Sequence, residues 1–270
     1  MNLFKLFLTL VIMIQLLPSA GFASSEIKVR VNERTIAMDS NPYISKNLTM
    51  IPIRFVADAL GCDAIEWNES NGEVEIKYNN HEILFSIDST TAYIDKKKAE
   101  LPVAATIKNN RTHIPLRFVS ENMGASVSWN EEERIVDIYK DDFSPDIPYA
   151  EDELYWLARI IHAEAQGEPF SGKVAVGNVI LNRVSHNEFP DTIYGVIFDR
   201  EHGVQFTPIA NGAIYNNPSN ECIYAADRVL RGENVVGASL YFCNPKTSTN
   251  KWIINNRILF SQIGKHNFYL

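Results

Sequence analysis

Two different spacings of apolar residues divide this chain of 270 residues. Up to about residue 140, short apolar runs alternate with polar positions and are interrupted by Gly, Asn and Asp, the mark of half-buried strands joined by tight turns. Val74 and Ile76 mark one such strand, Ile135 and Ile138 another. From Glu153 onward the period lengthens. Leu157, Ile161, Glu164 and Glu168 step by 4, 3 and 4, which puts all four on one helical stripe. Gly167 and Pro169 stop that helix, and a second apolar run up to Val184 follows. Near the end, SLYFC and RILFSQIGKHNFYL read as short strands with a turn at Gly264-Lys265. Residues 141–152 (DDFSPDIPYAED) carry two prolines and five acidic residues, a linker composition. The pattern predicts an α+β protein in two parts, residues 26–140 and 153–270.

The first part matches itself. MIPIRFVADALGCDAIEWNESNGEVEIKY (Met50 to Tyr78) aligns with HIPLRFVSENMGASVSWNEEERIVDIY (His113 to Tyr139). Pro52 and Pro115 are 63 apart, as are Gly61 and Gly124, while Trp67 and Trp129 are 62 apart. Each copy predicts a Pro at a helix start, a short amphipathic helix ending at Gly, a Trp-Asn turn and an alternating strand. This doubled P-[IL]-R-F-V…G…W-N pattern resembles the copper amine oxidase N-terminal domain family. The resemblance implies a small antiparallel sheet packed with a helix. It implies no copper: His81 and His113 are the region's only histidines, and no ligand spacing links them. The module is expected either to bind a wall or protein ligand or to act as a spacer.

Composition narrows the partners. With 46% hydrophobic residues the chain fills a real core, and a formal charge of −8 leaves no basic face for counterion release, so nucleic acid is not an expected partner. Lys5, an apolar run from Leu6 to Leu17, then Pro18 and the small residues Gly21 and Ala23, predict an export signal over residues 1–23, cut after Ala23. An uncleaved anchor is the other reading of that run. The protein is then expected to be secreted. Three cysteines, Cys62, Cys222 and Cys243, make no disulfide framework, and a Cys222–Cys243 pair stays open.

The chemistry centres on one acid. In ARIIHAEAQGEPFSGKVAVGNVILNRV (Ala158 to Val184), Glu164 falls in or near the last helical turn. Partial burial and the negative end of the helix dipole both raise a carboxyl pKa there, which suits a general acid. From spacing alone it is equally an exposed glutamate at a frayed helix end, or a partner of Arg159 or Arg183. His162-Ala-Glu164 matches half of a zinc-deaminase signature without its P-C-x-x-C, and there is no H-E-x-x-H. Cys243 with His266 is the thiol alternative, against a buried inert thiol.

More specific is the run of residues around that acid. Ala158-Arg159, Ala163 to Pro169, Val174 to Val176 and Val179 to Val184 closely resemble the SleB/CwlJ family of cell-wall hydrolases. So do Phe189-Pro190, Val204 to Pro208, Leu240 to Pro245, Lys251-Trp252 and Ile263 to Tyr269, in order over about Leu154 to Leu270. Gln166 and Thr207 stand where Arg and Ser are common. The resemblance implies a mainly helical, lysozyme-like domain with a small sheet, peptidoglycan (cell wall or spore cortex) as substrate, Glu164 as the catalytic acid, and no cofactor or metal. It also implies a groove that includes Glu168, Gln205, Thr207, Tyr241, Asn244, Trp252 and His266. Gln205 and Asn244 can hydrogen-bond N-acetyl and hydroxyl groups, Tyr241 offers a hydroxyl, and Trp252 can stack on a sugar face. Core packing is the competing role for Tyr241 and Trp252, a structural one for His266, and helix closure for Glu168. A hydrolase also needs a second carboxylate, with Glu168, Asp191, Asp199 and Glu201 as candidates. A lytic transglycosylase needs one acid only. The remaining alternatives are a wall amidase or peptidase, and a wall-binding protein without catalysis.

Overall fold

The computed structural model of the protein describes residues 26–141, 143–200, 206–248 and 251–270. The export signal read over residues 1–23 lies outside the described residues, as do Gln205 and Glu201.

In the first half, strands Leu48–Pro52 and Arg111–Pro115 each run into a short helix, α1 (Ile53–Ala59) and α2 (Leu116–Asn122). Pro52 and Pro115 sit at the N-cap, where a missing N–H costs nothing. Gly61 and Gly124, just past the helix ends, take φ of +76° and +78°, the left-handed conformation that ends a helix. The two strands pair antiparallel with Ile51 opposite Ile114, flanked by Tyr43–Ser45 and Thr106–Lys108. After α1, hairpin Ala64–Asn68/Glu73–Tyr78 continues as a five-stranded antiparallel sheet that ends at Lys97–Glu100. After α2, hairpin Ser126–Asn130/Ile135–Tyr139 adds Lys28–Val31 in parallel and Arg34–Thr35 beyond it. Ile51, Val56, Leu60, Phe85, Ile114, Val119 and Met123 fill one core between these layers.

Two local expectations shift. Trp67-Asn68 and Trp129-Asn130 end strands rather than forming turns; the turns follow them. In the last strand Val136 and Ile138, not Ile135, face the core. A strand's side chains alternate with period two, and Ile135 and Ile138 are three apart, so they cannot share a face.

The second half is helical: α3 (Glu151–Ala165), α4 (Phe170–Val184), α5 (Ile193–Phe198), α6 (Thr207–Ala210), α7 (Asn220–Leu230) and α8 (Trp252–Asn256). A three-stranded antiparallel sheet closes it, ordered Tyr241–Cys243, His266–Tyr269, Leu259–Ile263. Helix α3 begins inside the acidic linker segment, because Glu151, Asp152 and Glu153 favour the positive end of a helix and Glu153 accepts the Ala150 N–H at 2.8 Å. Helices α3, α4 and α7 pack together through Leu157, Ile161, Val176, Ile180, Ala226 and Val229. Gly177 permits this approach: a Cβ there would lie 2.9 Å from Ile161 Cδ1 and 3.0 Å from Val229 Cγ2.

The halves touch along the segment between them. Ile147 packs on both cores, and Tyr149 donates its hydroxyl to Asp227 at 2.6 Å. Asn220, first in α7, donates its backbone N–H to Glu26 and its side-chain amide to the Ile27 carbonyl. Cys62, Cys222 and Cys243 are all free thiols.

The helical stripe does not reach Glu168. Helix α3 stops at Ala165, and Glu168 lies in the turn before α4 with its side chain buried. There its Oε2 accepts the Lys265 N–H at 2.8 Å, which ties the α3–α4 turn to the turn of the closing sheet. Gly264 makes that possible with φ of +60° and no Cβ; an added one would lie 2.1 Å from Glu168 Oε2. Gly264→Ala is therefore expected to destabilise the protein by about 2 kcal/mol or more, read as a lower urea midpoint with an unchanged slope. An unchanged midpoint would contradict the tie.

Candidate active site

Glu164 is the penultimate residue of α3, and its side chain opens onto a cleft of about 1010 Å³. The lining comes from five places. The end of α4 supplies Arg183, and the following loop supplies Glu188 and Phe189. Phe206 and Thr207 come from the start of α6, and the closing sheet and α8 bring Tyr241 to Asn244, Trp252, Arg257 and His266.

Glu164 is half-buried and takes part in no hydrogen bond or ion pair among the described residues. Burial alone pushes its carboxyl up to about 7. Its place at the helix C-terminus acts in the same sense. Both proposed salt-bridge partners are engaged elsewhere. Arg159 donates to the carbonyls of Tyr215 and Asn216 and to Asn217. Arg183 donates Nε to the Leu240 carbonyl at 2.7 Å, with its guanidinium 4.9, 5.4 and 5.6 Å from the rings of Phe189, Phe206 and Tyr241. Burial lowers the Arg183 pKa to about 10, so it remains a cation at neutral pH.

Of the residues expected in the groove, Thr207, Tyr241, Asn244, Trp252 and His266 line the cleft. Tyr241 accepts from Arg257 at 2.7 Å, and Arg257 lies 4.4 Å from the Tyr241 ring and 5.0 Å from the Trp252 ring. Trp252 is 50% exposed, so packing leaves much of its indole open to the cleft. Asn244 Oδ1 holds its own turn by accepting the Lys246 N–H, leaving the amide N–H groups to donate. His266 is buried against Phe242, ring centroids 5.4 Å apart, with Nδ1 unpartnered and its pKa lowered by burial. Cys243 lines the same cleft, with no bond to His266. His162 turns away, accepting the Ser219 N–H at 3.3 Å.

The structure does not bring Glu168, Asp191 or Asp199 to the cleft lining; Glu168 is held by the Lys265 N–H. Among the described residues, the other carboxylate that lines the cleft is Glu188, exposed in the loop after α4. Sequence reading passed over it because a loop glutamate carries no periodicity; its position just before Phe189-Pro190 was the available sign. Arg183 and Arg257 were missed as cleft cations for a related reason, since neither follows from helical or strand spacing.

Comparison with known proteins gives a consistent placement. Residues 30–138 match the family described as copper amine oxidase N-terminal domain, and residues 167–269 match the family described as cell wall hydrolase. A spore cortex-lytic enzyme of Bacillus cereus is 40% identical over 120 residues, covering 44% of this chain and 45% of that protein. The cell wall hydrolase CwlJ of Oceanobacillus iheyensis is 34% identical over 106 residues, covering 37% of this chain and 74% of that protein. Among solved structures, the catalytic domain of the germination-specific lytic transglycosylase SleB from Bacillus anthracis is 39% identical, covers 47% of this chain and 99% of that one, and superposes with a TM-score of 0.42. The chain thus spans about 45% of the length of the spore cortex-lytic enzyme it matches.

A carboxyl whose pKa is raised by folding leaves a signature in stability. The folded protein holds the Glu164 proton more tightly than the unfolded chain does. Glu164 therefore supports the fold fully below about pH 4.5 and loses that support as pH climbs through about 7. Glu164→Gln removes the buried charge, so the variant is expected to be more stable than the parent at pH 8, by up to about 3 kcal/mol, and equal to it at pH 4. Urea unfolding at the two pH values measures this. Equal stability at both would mean the carboxyl is not desolvated.

Proposed function

The chain belongs to the cell wall hydrolase family, and on that footing we propose that its second half cuts the glycan strand of peptidoglycan between N-acetylmuramic acid and N-acetylglucosamine. In this reading it is a lytic transglycosylase, with Glu164 acting first as acid and then as base. One observation carries the assignment: a carboxyl raised to about 7 stands in a large cleft with no ion-pair partner among the described residues. Such a group is about half protonated at neutral pH, which is what proton delivery to a leaving oxygen needs. The family match begins at residue 167, so the role of Glu164 rests on this geometry and not on the match.

The steps follow from the residues present. Protonated Glu164 donates to the glycosidic oxygen as the bond to muramic acid C1 breaks and oxocarbenium character develops on that ring. The 6-hydroxyl of the same muramic acid then bonds to C1, and the Glu164 carboxylate accepts its proton. The ring closes as a 1,6-anhydro product, and the enzyme returns to its starting protonation state. No second carboxylate takes part; Glu188, exposed at the cleft, is not required. Arg183 and Arg257 present cations to the lactyl and peptide carboxylates of the strand, and Trp252 and Tyr241 present ring faces to its sugars. Relatives named for spore cortex lysis and cell wall hydrolysis support the spore cortex or cell wall as the layer attacked.

Glu164→Gln is expected to lower the rate of peptidoglycan solubilisation about a thousandfold while the circular dichroism spectrum is kept. In the parent, the rate should fall about tenfold per pH unit above 7 as the acid is lost. A variant that retains a tenth of the parent rate would remove Glu164 from the chemistry.

A further inference from the structure

Two clefts on the first half are built from matching residues. One, of about 170 Å³, is lined by Arg54, Trp67 and Val74 together with Asn110 and Thr112. The other, of about 300 Å³, is lined by Arg117, Trp129 and Val136 together with Asn47 and Thr49. Every residue of the first set has its counterpart in the second at the spacing of the internal sequence match, 62 or 63 positions away. In each, the Arg comes from the first turn of α1 or α2, the Trp from the strand after that helix, and the Asn from a hairpin turn of the opposite segment. Both hairpin turns hold two residues at positive φ: Lys46 and Asn47 in one, Asn109 and Asn110 in the other.

The indoles are 48% and 36% exposed, Trp67 and Trp129 respectively. Both stand near the ends of their strands, and neither belongs to the core of the first half. We propose that these twin clefts are a bivalent binding site for the anionic glycan of the cell wall. The ligand class follows from the lining. A flat indole face beside Asn and Thr groups suits sugar rings with hydroxyl and N-acetyl substituents, and a guanidinium at the edge suits carboxylates. Doubling fits a polymer. A ligand that repeats along its length can occupy two like sites on one rigid module, and the second contact then forms at high effective concentration.

The two sites are not equal. Arg54 is exposed and makes no ion pair among the described residues, so it is available to an acidic ligand. Arg117 instead pairs with Glu121 at 3.2 Å. The Trp129 indole N–H is given to Glu131 at 2.5 Å, with Arg134 5.8 Å from its ring. The Trp67 cleft is therefore the stronger of the pair.

This inference rests on the wall-cutting reading for its choice of polymer. The test uses the full exported chain carrying Glu164→Gln, mixed with purified, insoluble peptidoglycan sacculi, with bound and free protein measured across concentration. Trp67→Ala is expected to weaken binding about tenfold, Trp129→Ala less, and the double variant more than either. Trp67→Phe should recover most of the loss. Arg54→Glu, on an exposed side chain without a partner, should weaken binding and flatten its salt dependence. A double variant that melts like the parent and binds within twofold of it would overturn the proposal, as would an Arg54→Glu chain that binds like the parent. Sacculus lysis by the Glu164-containing chain, run in parallel, separates the two failures. Lysis with unaltered binding refutes the twin clefts alone, and no lysis refutes the catalytic reading.

Discussion

The second half is organised around holding one carboxyl partly out of water. Glu164 sits at the end of α3, where a charge is disfavoured by burial and by the helix dipole alike, and it forms no ion pair among the described residues. That arrangement needs walls. The α3–α4 turn must stop the helix one residue later, and Glu168 and the Lys265 N–H fasten that turn to the closing sheet. The sheet in turn carries Tyr241, Phe242 and His266 to the opposite wall of the cleft. Arg183, which lines the same cleft, is engaged by the Leu240 carbonyl and by three aromatic rings.

The first half does different work. Its core is separate, yet the segment from Phe143 to Tyr149 is packed and not loose: Ile147 serves both cores and Tyr149 reaches Asp227. Contacts of Glu26 and Ile27 with Asn220 anchor the same junction from the other side. The two halves are thus joined by the packing of Ile147 on both cores as well as by polar bonds at Tyr149 and Asn220.

Much of this was legible in the sequence, and the failures have physical causes. Gly167 and Pro169 located the end of α3 and hence Glu164, because helix stops are local chemistry. The self-match located α1, α2 and both tryptophans. Glu168 was misplaced because a period of 3.6 continues on paper through a glycine that ends the helix in space. Ile135 was favoured over Val136 since apolar character was read without enforcing the strand's period of two. Arg257 had no periodic or motif signal, and Glu188 only its place beside Phe189-Pro190; the folding of loop, sheet and α8 against one another puts them at the cleft. That Trp67 and Trp129 are exposed is likewise a tertiary fact, since a Trp in a strand is as readily buried.

The most direct test of the catalytic account is mass spectrometry of the soluble fragments the protein releases from purified peptidoglycan. Glycan fragments ending in 1,6-anhydromuramic acid, one water lighter than hydrolysed ends, are the predicted result of a single acid with the 6-hydroxyl as nucleophile. Ordinary reducing ends would contradict it and require a carboxylate to activate water, with Glu188 the one placed for that work among the described residues.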